Sequence, residues 1–284
     1  MEGYFTIKEV AEKYIENCRA KVQMSSMKLT GKAVMAGAMI AMGAAISSVA
    51  AHTVQDVGLA RLAAAVVFPV GLMMVILMGA ELFTGDCLVA MSIFDGKQKI
   101  RECVKLLFLV YVGNLIGATL IALLVSLSGQ LDYSAGMLGA YTIKVAIGKA
   151  NISFVKGITS GILCNILVCA AVLMAMCAKD VTGKLLASFF VIMLFVTGGF
   201  EHCVANMYYI TAGLFAVNNA EYAELAMKAY GYSREYLDTL NVANYLFKNL
   251  LPVTIGNIIG GVFCVGAPVY YLNCSKAKKA DLNK

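Results

Sequence analysis

Two of the apolar runs in this chain stop near their middle on glycines and ionisable residues: Gly79-Ala-Glu-Leu-Phe-Thr-Gly85 in one and Gly198-Gly-Phe-Glu-His-Cys203 in the other. In lipid every backbone N–H and C=O must find a partner within the protein. Polar, glycine-rich backbone at membrane depth therefore survives only where it is buried in protein or lines a water-filled cavity. Glu81, Glu201 and His202 are costly at that depth and are functional candidates by default. The pairing points to a pore.

Composition sets the class as a polytopic membrane protein. With 60% apolar residues, 14% charged residues and a mean hydropathy of +0.78, 284 residues cannot give a soluble domain a normally charged surface. The net charge of +6 sits in short segments between apolar runs, without a basic stripe or interleaved aromatics, so it reports topology and not nucleic-acid binding. Six spans are predicted, about 30–51, 60–94 with a break near 82–85, 103–128, 154–178, 185–217 with a break near 199–206, and 248–272. The second and fifth are longer than one crossing requires, as broken or tilted helices would be.

Lysine and arginine set the orientation. With the N-terminus in the cytoplasm, sixteen of them fall inside, from Lys8 to Lys32, Lys97 to Lys105, Lys179 and Lys184, and Lys276 to Lys284, against seven outside. Both termini are therefore expected to be cytoplasmic, in the cell membrane. No apolar core of a signal peptide is read in residues 1–28, where Ile7, Val10, Ala11, Tyr14, Cys18 and Val22 recur at helical spacing. An amphipathic helix lying on the cytoplasmic face is predicted there, as an anchor rather than a gate, with the channel domain over 29–273 and a basic tail over 274–284. The connection 218–247 is predicted to be a helical cap outside.

None of the nine cysteines shows Cys-x-x-Cys spacing, and most lie within apolar spans, so neither a disulfide nor a metal site is expected. Gly113-Asn-Leu-Ile-Gly117 in the third span returns as Gly256-Asn-Ile-Ile-Gly260 in the sixth. Three spans per half is an odd number, so the second half, about 154–273, must lie upside down relative to the first, about 29–128. The predicted fold class is an all-α membrane protein of six helices, an aquaporin-like inverted three-plus-three repeat with broken second and fifth helices. The two Gly-Asn-x-x-Gly motifs read as packing motifs, because small residues let helices approach and asparagine bonds across them.

Aquaporins share this plan, but their paired Asn-Pro-Ala turns are absent, the prolines being Pro69, Pro252 and Pro268. Glu81-Leu-Phe-Thr-Gly85, Gly199-Phe-Glu-His202 with Ala205-Asn-Met207, and Leu251-Pro-Val-Thr-Ile-Gly-Asn257 together resemble the formate/nitrite transporter family over essentially the whole chain. The resemblance implies a homopentamer with one pore per protomer. It also implies that Leu82, Phe83 and Thr84 form the loop that interrupts the second helix, and that His202 is the single histidine on the conduction path. Phe68 and Phe195 would be the outer constriction, Leu72 and Leu82 the inner one, and Lys149 the basic residue of the outer vestibule. Asn165, Asn206 and Asn257 would be polar partners around the pore.

The chemistry of these residues agrees with a small anion as cargo. A hydrophobic constriction excludes hydrated ions, so a charged solute needs compensating positive potential or transient neutralisation, and histidine can supply either. Half-helix N-termini at the breaks add donors and positive dipole. Two mechanisms stay open at this point, proton donation from His202 to the anion, or uptake of a proton from water with the histidine neutral throughout. Glu201 tunes the histidine or braces the break. The expected function is a channel for formate, nitrite or hydrosulfide, with the whole chain nearest to hydrosulfide-conducting members of the family. The alternative is a neutral-solute channel for water, glycerol or ammonia. An enzyme is not expected, since one histidine on the path and scattered cysteines supply neither a nucleophile–base pair nor a metal cluster, and no cofactor is expected.

Overall fold

The computed structural model describes residues 3–275. The basic tail expected from residue 274 onward, with Lys276, Lys278, Lys279 and Lys284, lies outside the described residues apart from its first two positions. In chain order the helices are α1 (Ile7–Gln23), α2 (Ser26–Ala51), α3 (Val57–Met78), α4 (Phe83–Phe94), α5 (Ile100–Leu127), α6 (Met137–Ala150), α7 (Phe154–Cys177), α8 (Val181–Gly198), α9 (Cys203–Ala216), α10 (Ala220–Tyr230) and α11 (Val242–Asn273). Six of them, α2, α3, α5, α7, α8 and α11, are long and apolar enough to span a bilayer. Among the described residues the only non-helical pairing is an isolated antiparallel bridge between Tyr4 and Ala178.

Local chemistry sets the ends of these elements. Thr6 and Glu9 form a reciprocal capping box at the start of α1, and Ser25, Asp56 and Asp180 cap α2, α3 and α8 through their side-chain oxygens. Gly79 (φ 62°) and Gly199 (φ 68°) end α3 and α8 in the left-handed conformation that glycine adopts without strain. The interruptions therefore cover residues 79–82 and 199–202. Phe83 and Thr84, expected in the first loop, instead form the opening turn of α4. In α11, π-helical stretches at Tyr245–Leu250 and Ile259–Gly266 lie just before Pro252 and Pro268. A wider turn relieves the clash of each proline ring with the preceding turn.

The chain is built twice. α1 to α5 correspond to α6, α7, α8, α9 and α11, with α10 inserted in the second half. Each repeat is therefore longer than the spans alone indicate, because each begins with a pre-helix, α1 or α6. Lys21 precedes Ala33 by the same interval as Lys149 precedes Gly161, and these residues do equivalent things in the two halves.

Closely packed helix pairs hold the halves together. α2 runs against α5 with Gly37 over the backbone of Asn114 and Gly117 against the backbone of Val34, where a Cβ would overlap the neighbouring carbonyls. α7 runs against α11 in the same way through Gly256 and Gly260. The pre-helix α1 buries Val10, Ala11, Tyr14, Ile15 and Cys18. Tyr14 and Lys21 of this helix reach into the mouth of the protein.

Candidate conduction site

Each break exposes backbone groups that the helices cannot satisfy, and an asparagine from the repeat's last helix takes them up. At the first break Phe83 N donates to Asn114 Oδ1 (2.9 Å), and Asn114 Nδ2 donates to the carbonyls of Ala33 (2.7 Å) and Glu81 (3.0 Å). At the second, Cys203 N donates to Asn257 Oδ1 (2.9 Å), and Asn257 Nδ2 donates to Gly161 O (2.8 Å) and Glu201 O (3.0 Å). The Gly-Asn-x-x-Gly motifs thus do more than pack. Their glycines bring the helices together and their asparagines hold the broken backbone open, which makes Asn114 a site residue that the sequence reading had assigned to packing.

Four further side chains brace the second break. Glu201 N donates to Ser160 Oγ (3.0 Å). Its carboxylate accepts from Lys149 Nζ at Oε1 (2.9 Å) and from Asn206 Nδ2 at Oε2 (2.6 Å). Asn249, which had no part in the sequence reading, joins them by accepting from Asn206 Nδ2 (2.9 Å) and donating to the carbonyl of Lys149 (3.0 Å). Asn165 Nδ2 bridges the halves, donating to Thr84 O (3.1 Å) and Asn257 O (2.6 Å). Lys149 lies in the last turn of α6, with its ammonium also 5.3 Å from the ring centroid of Tyr209.

Two cavities approach each other from opposite mouths. The one at the α6 mouth, about 150 Å³, is lined by Phe68, Lys149, Phe195, His202 and Asn206 among others. The one at the α1 mouth, about 180 Å³, is lined by Tyr14, Lys21, Leu72, Leu82 and Asp86 among others. Phe68 and Phe195 meet edge to face with centroids 5.5 Å apart, and Phe195 lies 6.0 Å from the His202 ring. Phe83 lines neither cavity. Its ring packs on Tyr111 (4.9 Å) and faces an apolar groove between α5 and α11. Asn165 and Asn257 also stand behind the path, as the struts described above.

His202 and Thr84 meet between the two cavities, both buried. His202 caps α9, its Nδ1 accepting from the backbone N–H of Ala205 (3.1 Å). An imidazole that accepts at Nδ1 carries its proton on Nε2, so Nε2–H donates to Thr84 Oγ1 (2.8 Å). The equivalent of His202 in the first repeat is Leu82, which has no polar atom to offer. The duplication thus supplies one polar group and one apolar group at the centre.

Broken half-helices meeting at a buried donor, with a cavity on either side, define a channel for small solutes built on an aquaporin-like inverted repeat. The chain belongs to the formate/nitrite transporter family, whose profile matches residues 8–271. It is 36% identical to the formate channel FocA of Haemophilus influenzae over 215 residues, 76% of this chain and 75% of that one. Its fold is similar to a pentameric formate channel with formate bound, at a TM-score of 0.77 and 29% identity over 87% of this chain and 97% of the other. The aquaglyceroporin of Plasmodium falciparum, at 14% identity and a TM-score of 0.50 over 87% of this chain and 100% of the other, shares the fold alone. The protein is a multi-pass small-anion channel and not an enzyme.

Proposed function

We propose that this chain conducts the small monovalent anions of weak acids, formate first, with nitrite and hydrosulfide in the same chemical class. The observation that carries this reading is the single N–H of His202, aimed across the gap between two cavities and answered by the Thr84 hydroxyl (2.8 Å). A solute passing this point must exchange that bond for bonds of its own, which a small oxygen or sulfur acceptor does well. Nδ1 holds the Ala205 amide only while the ring is neutral, since an imidazolium would point a proton at that N–H. The anion therefore takes its proton from water in the vestibule and crosses the Phe68–Phe195 and Leu72–Leu82 constrictions as the neutral acid.

Lys149 at the α6 mouth raises the local anion concentration. The α1 mouth faces the cytoplasm in this reading, because the lysines and arginines are concentrated in the segments on that side, and the membrane is the cell membrane with both termini inside. Helix α1 (Ile7–Gln23) then acts as a cytoplasmic pre-helix of the channel body. Five copies assemble, as in the pentameric channel of similar fold, and native mass spectrometry is expected to return a five-chain mass.

Reconstituted in liposomes, the protein is expected to pass formate, nitrite and hydrosulfide but not glycerol, read by stopped-flow swelling. His202→Asn keeps a donor yet cannot exchange protons, so it is expected to retain formate influx with the wild-type pH profile. Loss of influx at every pH in that variant would show that the ring itself delivers the proton. Glycerol flux without anion flux would replace the anion reading with a neutral-solute channel.

A further inference from the structure

The two mouths are built on the same plan with different side chains at matching positions. At the α6 mouth Lys149 pairs with Glu201 (2.9 Å), and five residues past that glutamate Asn206 donates to its other carboxylate oxygen (2.6 Å). At the α1 mouth Lys21 pairs with Glu81 (2.6 Å), and the residue five past that glutamate is Asp86, which also takes a bond from Lys21 (2.5 Å). Repeat one thus has a carboxylate where repeat two has an amide. Lys21 joins the two carboxylates, donating to Glu81 Oε2 and to Asp86 Oδ1 from one ammonium. Asp86 Oδ2 is buried without a partner, on a side chain only 4% exposed that lines the α1-side cavity.

Among the described residues, the charged groups paired with Asp86 and Glu81 are two lysines. From α1 come Lys21, the Tyr14 hydroxyl, which donates to Gly85 O (3.2 Å), and the Cys18 thiol. From α7 comes the Cys169 thiol, and from α2 Lys32, whose ammonium is 3.8 Å from Glu81 and completes the set. With both acids ionised these four charged groups sum to zero. One added proton leaves these four groups with a net unit positive charge.

We propose that Asp86 is a proton-binding site, in which a proton on Oδ2 is donated to Glu81 in the way that the Asn206 amide is donated to Glu201. The inference rests on the anion-channel reading for its consequence but not for its chemistry. The protonated pair leaves the positive charge of the two lysines uncompensated by one unit, so anion entry through the α1 mouth rises as pH on that side falls. The α6 mouth, with an amide in the same place, lacks this acid. The permeability of the two faces is therefore unequal towards pH although the fold is two-fold symmetric.

Two measurements test this, and Asp86→Asn is the variant for both because asparagine already occupies the equivalent position in the other repeat. Infrared difference spectra of the purified protein between about pH 8 and about pH 5.5, well above the range of an ordinary carboxyl, are expected to show a protonated-carboxyl band that Asp86→Asn removes. A spectrum without that band, or a band that survives the substitution, overturns the proposal. In liposomes of fixed protein orientation, the ratio of wild-type to Asp86→Asn formate influx is expected to rise roughly threefold to tenfold as the α1 side is acidified, and to stay flat when the α6 side is. A flat ratio on both sides overturns the proposed consequence. Absence of any anion flux would remove the channel reading, while the infrared band would still decide the acid.

Discussion

Replacing Asn257 by leucine is expected to cost about 3 kcal/mol of stability and to reduce anion flux more than tenfold. The substitution keeps the branching at Cγ and removes three hydrogen bonds at once, those with Cys203 N, Gly161 O and Glu201 O. Side-chain bonds between membrane helices are often worth under 1 kcal/mol, because the separated helices find other partners. The Cys203 amide has none, since it belongs to a helix start buried in the protein where water does not reach it. The break should therefore lose its shape before the helices separate, and conduction should fail earlier than folding. Denaturant titration in detergent checks the stability, and liposome flux the function. Asn273→Leu is the comparison, because among the described residues the Asn273 amide donates to Val269 O on its own helix (2.8 Å), and its midpoint is expected to stay near wild type. Equal midpoints for the two variants would show that the break is held by something other than Asn257.

Gly37→Ala is expected to lower stability by about 3 kcal/mol, through overpacking. A Cβ at Gly37 would overlap the carbonyl oxygen of Asn114 and stand 2.6 Å from its Cα. The obstacle is backbone on both sides, so relief requires α2 and α5 to separate. Asn114 then moves away from Phe83 and Glu81, so flux is expected to fall with stability. Gly148→Ala supplies the contrast, since nothing lies within 4 Å of a Cβ there and the residue is helical. That change is expected to stabilise the protein by about 0.5 to 1 kcal/mol. Thermal melts of both variants in one detergent measure the difference in sign.

The asymmetry within a duplicated plan carries the functional argument. Leu82 and His202 occupy equivalent positions at the centre, as do Asp86 and Asn206 beside the two mouths. Duplication accounts for the breaks, the struts and the lysine–glutamate pairs. The departures from it mark where a solute meets a hydrogen-bond donor and where a proton can be held.

The membrane class, the six spans and the inverted repeat were legible in the chain because they follow from rules that act on neighbours in sequence. Twenty apolar residues cross a bilayer, glycine ends a helix, and an odd number of spans inverts a copy. The pre-helix α6 escaped notice because it is too short and mixed for a span, and it follows a turn through Ser134, Ala135 and Gly136, all with positive φ, that no simple turn signal announces. The partnerships across the fold depended on tertiary structure alone. Asn114 reaches Phe83, Asn165 reaches Thr84, Lys21 reaches Asp86 and His202 reaches Thr84 over separations of 31, 81, 65 and 118 residues. Local pattern determines which backbone groups a break leaves unpaired. Only the packed helices determine which side chain is near enough to pair with them.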